Sequence, residues 1–524
     1  MTRSRSSAAV LALALLASTA SAGAGDPFEP GLRWVRPAQL ADAWIPTSVG
    51  FAGEDELCWS VSNGATPRVG LDASAARGLS IPLFEDQLTE PLAGTLRVTT
   101  SSARDGLFVL QQTYASDPTQ RNTSITRYDP LAAALGAEFT PAWTLDLGLG
   151  TNGPARLLTD RIGDRGFAVL WQAETFELWV VRLDLRMGHV LDYVSYPADS
   201  LDSATISADG TRLAITSGTT LRVLDDNAAL VQELDLFAAT PTIALDADGS
   251  HLLIGRFGGI QLLVDGENGY EESLLIASDP LELAKVVDLS ADGSVLAVGW
   301  WHYVNGHDAR FEVLDGNTGV RLREIVQSGA PGGLQNSPSA IEVSADGQRI
   351  ACGSWGDGDA DPELVLLDLG QDEPVLEANL PGSILHLDLD ESGTRILVAA
   401  KHLHANQMGV TGEVRLYDTG ERDLQLLQAP RPGGALRLAA RADGALAAWF
   451  LLGRELETPF GSGLALVRHG LRVIPAAVEG GVAELDLALP PGGRVLGLSL
   501  TIQAAFRVPG SLSFTESVVN PIFL

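Results

Sequence analysis

Leu289-Ser290-Ala291-Asp292-Gly293-Ser294-Val295-Leu296-Ala297-Val298 sits near the middle of a 524-residue chain and is repeated within it. Close copies are Ile206-Ser207-Ala208-Asp209-Gly210-Thr211-Arg212-Leu213-Ala214-Ile215 and Val343-Ser344-Ala345-Asp346-Gly347-Gln348-Arg349-Ile350-Ala351-Cys352. Looser copies carry Asp248-Gly249, Ser392-Gly393, Asp443-Gly444, Arg165-Gly166 and Asp105-Gly106, and a degenerate one surrounds Gly53. Successive anchor glycines lie 39 to 60 residues apart. That is the period of repeated units of about 40–50 residues that stack on one another.

Each copy reads as an apolar strand, an Asp-Gly hairpin turn and a second apolar strand. Glycine closes such a turn because it adopts positive φ at little cost. A third strand ends in Asp, as in Arg310-Phe311-Glu312-Val313-Leu314-Asp315, Leu364-Val365-Leu366-Leu367-Asp368 and Val414-Arg415-Leu416-Tyr417-Asp418. A weaker fourth strand follows, for example Leu322 to Val326. Four antiparallel strands cannot bury both faces alone, so the units must pack around an axis. Ala132 to Phe139 offers at most one short helical excursion.

Ser-Ala-Asp-Gly followed by a strand ending in Asp, with Gly316-Asn317-Thr318-Gly319 after it, resembles the WD-repeat and YVTN-type β-propeller superfamily. Leu-Asp or Tyr-Asp replaces the usual Trp-Asp. The resemblance implies an all-β fold, a β-propeller of four-stranded antiparallel blades. Nine anchors admit seven to nine blades, and eight is the expectation. It leaves function open, because propellers host binding, scaffolding and several chemistries. The expected organisation is a signal peptide over 1–22, an N-terminal segment over 23–42, the propeller over 43–469 and a small C-terminal β appendage over 470–524.

The signal peptide is read from Arg3 and Arg5, the apolar run Ala8 to Ala17, and Ala20-Ser21-Ala22 as cleavage site. The expected location is therefore outside the cytoplasm: periplasmic, cell-surface or extracellular. No later stretch approaches the roughly 20 apolar residues of a membrane span. With 66 acidic against 35 basic residues the net charge is −31, which repels nucleic-acid phosphates. Lys285 and Lys401 are the only lysines. Cys58 and Cys352 each lie in an apolar run and read as buried thiols, able to pair only if their blades are neighbours.

Known catalytic patterns are not met. Neither Gly353-Ser354-Trp355-Gly356 nor Gly461-Ser462-Gly463 has the spacing of a nucleophile elbow. Asp357, Asp359 and Asp361 alternate like the carboxylates of a calcium loop, but Pro362 stands where the turn glycine belongs. A solvated acidic turn is the simpler reading, with calcium the cofactor alternative; no other cofactor is identified.

Counting eight residues beyond successive anchors reaches Phe257, Trp301, Trp355 and Lys401. These should be the ends of second strands, recurring around one face. The polar loops after them add Trp300, His302, Tyr303, His307, His402 and His404 to the same rim. His402 and His404 would share a side on an extended strand, as metal ligands can. Aromatics here either seal blade packing or stack on a ligand. The leading expectation is a non-catalytic binding or scaffold propeller with an unknown protein or carbohydrate ligand. A lactonase-like hydrolase with a polar or metal cluster in the channel, and a structural component of an extracellular or envelope assembly, are the alternatives.

Overall fold

The structure, a computed structural model, describes residues 31–37, 45–52, 57–62, 68–73, 82–87, 97–103, 106–114, 121–128, 141–148, 153–236, 242–304, 308–328, 335–357, 361–405, 407, 409–419, 424–428, 435–442, 445–453, 472–479, 481–488, 498–499, 501–508, 511–514 and 522–523. The expected signal peptide, the short helical excursion and the anchors Gly53 and Gly444 lie outside these residues. No helix among them is long and apolar enough to cross a membrane.

Eight four-stranded antiparallel sheets form blades in chain order. Their inner strands are Pro46–Ala52, Arg97–Ala103, Ala155–Thr159, Ser203–Ile206, Thr242–Leu245, Glu282–Leu289, Pro338–Val343 and Ile384–Leu389. Each inner strand packs on the next, and that of blade eight packs back on that of blade one. The ring is therefore closed. Its apolar residues gather between neighbouring blades. Leu253, Ala284, Leu296 and Trp300 fill the joint of blades five and six, and Val313, Ile341, Cys352 and Val365 that of six and seven. Cys352 is a buried free thiol, and burial pushes its ionisation up. Blade eight separates it from Cys58 of blade one.

Blade eight is completed from the other end of the chain. Only Ile384–Leu389, Arg395–Lys401 and Gly412–Asp418 are consecutive, and Leu32–Pro37 supplies the fourth, outermost strand by pairing with Gly412–Asp418. The segment 23–42, expected to precede the propeller, thus contains the strand that latches it.

The motif's residues explain the turns. In blade six the Ser290 hydroxyl donates to Asp292 Oδ1 at 2.7 Å and accepts from Val295 N at 3.0 Å. Asp292 Oδ1 also accepts from the Ser294 hydroxyl at 2.6 Å and from Ser294 N at 3.0 Å, and the Ser294 hydroxyl, then that of Ser290, then the Ser294 N–H hold its carboxyl down to about 2. Gly293 has φ of 68° and lies against the preceding blade: a Cβ on it would stand 2.4 Å from His251 Cγ. Gly210, Gly249 and Gly347 share the positive φ. The turns also bond to one another, Asp209 N to Ala247 O, Ala247 N to Ala291 O and Ala291 N to Ala345 O, each 3.1 Å. The repeat's turn is thus a blade-to-blade joint as well as a hairpin.

Two anchors are corrected. Gly166 lies inside the second strand of blade three, Arg165–Gln172, and the turn glycine there is Gly163 at φ 84°. Gly106 opens the strand Gly106–Tyr114. The boundary at 469/470 is also corrected. Leu424–Gln428, Ala435–Arg441, Val478–Glu479 and Val482–Ala488 form one sheet; Ala447–Gly453, Arg472–Ala476, Thr501–Val508 and Ser511–Phe514 form another. Leu436, Leu438, Phe450, Leu485, Ile502 and Phe506 pack between them as one core. The strands flanking Asp443-Gly444 join different sheets, so no ninth blade forms there.

Candidate functional site

Second strands end on the face opposite the Ser-x-Asp-Gly turns. His251–Arg256, Val295–His302, Arg349–Ser354 and Arg395–Lys401 bring Phe257, Trp301, Trp355 and Lys401 to one rim over blades five to eight. Phe257 is held by a bridge to Leu283. Tyr303 lies edge-on to both Phe257 and Trp301, with ring centroids 6.0 and 5.7 Å away. Phe257, Leu281, Tyr303 and Val304 are exposed by 46, 46, 60 and 67%. This is an apolar patch open to solvent.

Trp300 does not belong to it. Strand alternation sends Trp300 to the face opposite Trp301, into the joint with blade five, where it is 1% exposed. Its indole N–H donates to Glu312 Oε2 at 2.7 Å, and the Arg310 guanidinium lies 5.2 Å from its ring. Arg310 also pairs with Glu282 at 2.5 Å. Burial alone would raise Glu282, but Arg310 and the Ser278 hydroxyl hold its carboxyl below the usual range.

The two imidazoles diverge. The strand ends at Lys401 and the chain bends, so His402 and His404 are not on an extended segment. His402 stays within blade eight, its Nδ1 3.0 Å from Thr411 Oγ1 and its Nε2 3.3 Å from Glu413 Oε2. His404 turns to blade seven, where Nδ1 donates to Trp355 O at 3.2 Å beside the buried Glu363. His302, half-buried, stands opposite Glu282 in the strand register. His307 and Asp359 lie outside the described residues. Asp357 and Asp361 are close enough that, after burial, the charge of Asp357 raises Asp361. Among the described residues no three His, Cys, Asp or Glu side chains gather to hold a metal.

A residue outside the expected set lies at the centre of this rim. Lys285 occupies a bulge in the inner strand of blade six, where the pairing shifts between Ala284 and Val286. Bulges re-aim side chains. Its ammonium lies 4.0 Å from the Trp355 ring centroid and 5.9 Å from that of Trp301, and donates to Ser337 Oγ at 2.7 Å. Burial lowers its pKa to about 8. A lone lysine inside the strand Glu282–Leu289 was the available signal. Lys401 is spent locally, donating to the carbonyls of Ala405 and Gln407.

Deeper in the ring, carboxyls of three successive inner strands approach one another. Asp288 Oδ2 accepts from Val343 N at 2.7 Å, and Asp388 Oδ2 from Phe51 N at 2.6 Å. Glu342 lies between; burial raises its carboxyl strongly, and the charges of Asp288 and Asp388 raise it further. Burial raises Asp288 as well.

No family model matches this sequence, and no curated protein does. Among solved structures, the C-terminal WD40 domain of Sif2 is similar at 12% identity and a TM-score of 0.51, over 74% of this chain and 99% of that one. The Myceliophteria thermophila Cps50 (Swd1) β-propeller domain matches at 13% identity and a TM-score of 0.42, over 62% of this chain and 96% of that one. With eight four-stranded blades closed into a ring, the chain has the fold of the WD40-type β-propellers.

Proposed function

We propose that the chain is an exported, non-catalytic binding propeller that docks a protein segment on the rim of blades five to eight. The observation that carries this reading is the solvent-open patch of Phe257, Leu281, Tyr303 and Val304 beside Trp301. Contiguous exposed apolar surface rimmed by polar groups marks interaction sites. The aliphatic Leu281 and Val304 favour a peptide over a sugar, which needs ring faces alone. Export rests on the sequence of residues 1–22.

Peptide and glycan arrays probed with the purified protein test the reading. Specific peptide signals that the pair Phe257→Ser and Tyr303→Ser abolishes, with melting unchanged, are expected. Peptide signals that survive that pair, or signals confined to glycans, would overturn it. N-terminal sequencing of protein secreted by an expressing cell should begin at Gly23; a start at Met1 contradicts export.

A further inference from the structure

In a chain with 66 acidic residues, a half-buried lysine would be expected to meet one of them. Among the described residues, no carboxylate lies within ion-pair distance of Lys285; its neighbours are two indole rings and the Ser337 hydroxyl. Its value of about 8 leaves it mostly charged at neutral pH. Two further donors nearby have no acceptor among the described residues. The Trp301 indole N–H is buried and unbonded. Asn336 is 0% exposed, and its Oδ1 accepts from Ser337 N at 2.8 Å and Gly356 N at 3.0 Å. Those two bonds fix which amide atom is oxygen, leaving Nδ2 as an unmatched donor. Ser337 is itself the lysine's hydrogen-bond partner and Gly356 follows Trp355, so the Asn336 amide adjoins the groups that surround the ammonium.

All three groups donate, and one is cationic. Such a set calls for an oxygen acceptor with negative charge, and charge-assisted bonds to it are the strong ones. Trp301 also touches Tyr303 of the exposed patch, which places an apolar surface beside the donors. We propose that Lys285, with Trp301 and Asn336, receives a single carboxylate of the ligand while the Tyr303–Phe257 patch takes the apolar group attached to it. This rests on the rim as the binding face and adds the ligand's chemistry: an apolar carboxylate, such as a peptide chain end. A polyanion is disfavoured by the net charge of −31.

Two lysines make the test clean. Protein labelled with ¹³C at the lysine ε-carbon gives two side-chain signals, and Lys285→Met assigns them. Phenylacetate is the probe and phenylacetamide its neutral control. Phenylacetate should shift the Lys285 signal saturably and raise its titration midpoint, because a bound anion favours the charged amine, while Lys401 stays unmoved. Phenylacetamide should leave Lys285 in place. Lys285→Met should weaken phenylacetate binding, read by tryptophan fluorescence, at least about tenfold, whereas Lys285→Arg keeps most of it.

A Lys285 signal silent to phenylacetate up to its solubility limit overturns the proposal, as does an equal response to the amide. If both probes bind equally and only the Phe257→Ser, Tyr303→Ser pair abolishes them, the carboxylate proposal fails and the rim reading stands. If acetate shifts Lys285 and that pair leaves phenylacetate binding unchanged, the carboxylate site stands and the rim reading fails.

Discussion

Gly293 answers two demands at once, and its neighbours show how to separate them. Positive φ costs any side chain about 1–2 kcal/mol. At Gly293 a Cβ would also collide with His251 of the preceding blade at 2.4 Å. Gly218 has φ of 57° and nothing within 4 Å of a Cβ. Gly218→Ala should therefore cost about 1 kcal/mol, whereas Gly293→Val should cost about 2–4 kcal/mol, read from urea unfolding midpoints. Equal costs would remove the blade-to-blade role. The turn was legible because Ser-x-Asp-Gly is local chemistry written in consecutive residues. The collision was not, since it depends on a residue one blade away. Trp300 and Trp301 show the same limit: adjacent aromatics on a strand face opposite ways, and only the neighbouring blades decide which is buried. Lys285 was visible as a rare residue, but its bulge was not.

The C-terminal strands show where a local signal misleads. Asp443-Gly444 reads like another hairpin, yet Ala435–Arg441 pairs with Val482–Ala488 and Ala447–Gly453 with Thr501–Val508. Pairings across some 40 to 60 residues leave no mark in a repeat search. They lead to opposite expectations for two truncations. A chain ending at 419 keeps every ring blade and should stay free of aggregates with a cooperative melt. A chain ending at 469 strands Leu436, Leu438 and Phe450 without their partner sheets and should aggregate, because their core is half missing. Size-exclusion chromatography of both chains checks this. A well-behaved 469 chain beside an aggregating 419 chain would contradict the sheet assignment.

Across the whole molecule the inner strands meet around the axis, and there burial first, then the charges of Asp288 and Asp388 on the flanking inner strands, act on the Glu342 carboxyl. Glu342 and Asp288 are held above their ordinary range by burial and, for Glu342, by its acidic neighbours. A raised carboxyl keeps its proton in the folded state at pH values where the unfolded chain has lost it. Its contribution to stability therefore falls as pH rises from the ordinary carboxylate range. Glu342→Gln should raise the unfolding midpoint more at pH 8 than at pH 5; an equal or opposite effect would show that the group is ionised without cost.

Eight blades were within reach of the sequence, because the turn motif recurs at blade spacing. The closure was not, because Leu32–Pro37 carries no turn motif and its partner strand lies some 380 residues away. That closure makes the repeats one molecule. Amide hydrogen exchange over residues 32–37 tests it most directly. A latched ring requires those amides of 32–36 that bond to Gly412–Asp418 to exchange as slowly as the amides of Gly412–Asp418, to within about tenfold, since the two strands would open together. Exchange of 32–37 at the rate of an unprotected chain, with Gly412–Asp418 still protected, would contradict the closed ring.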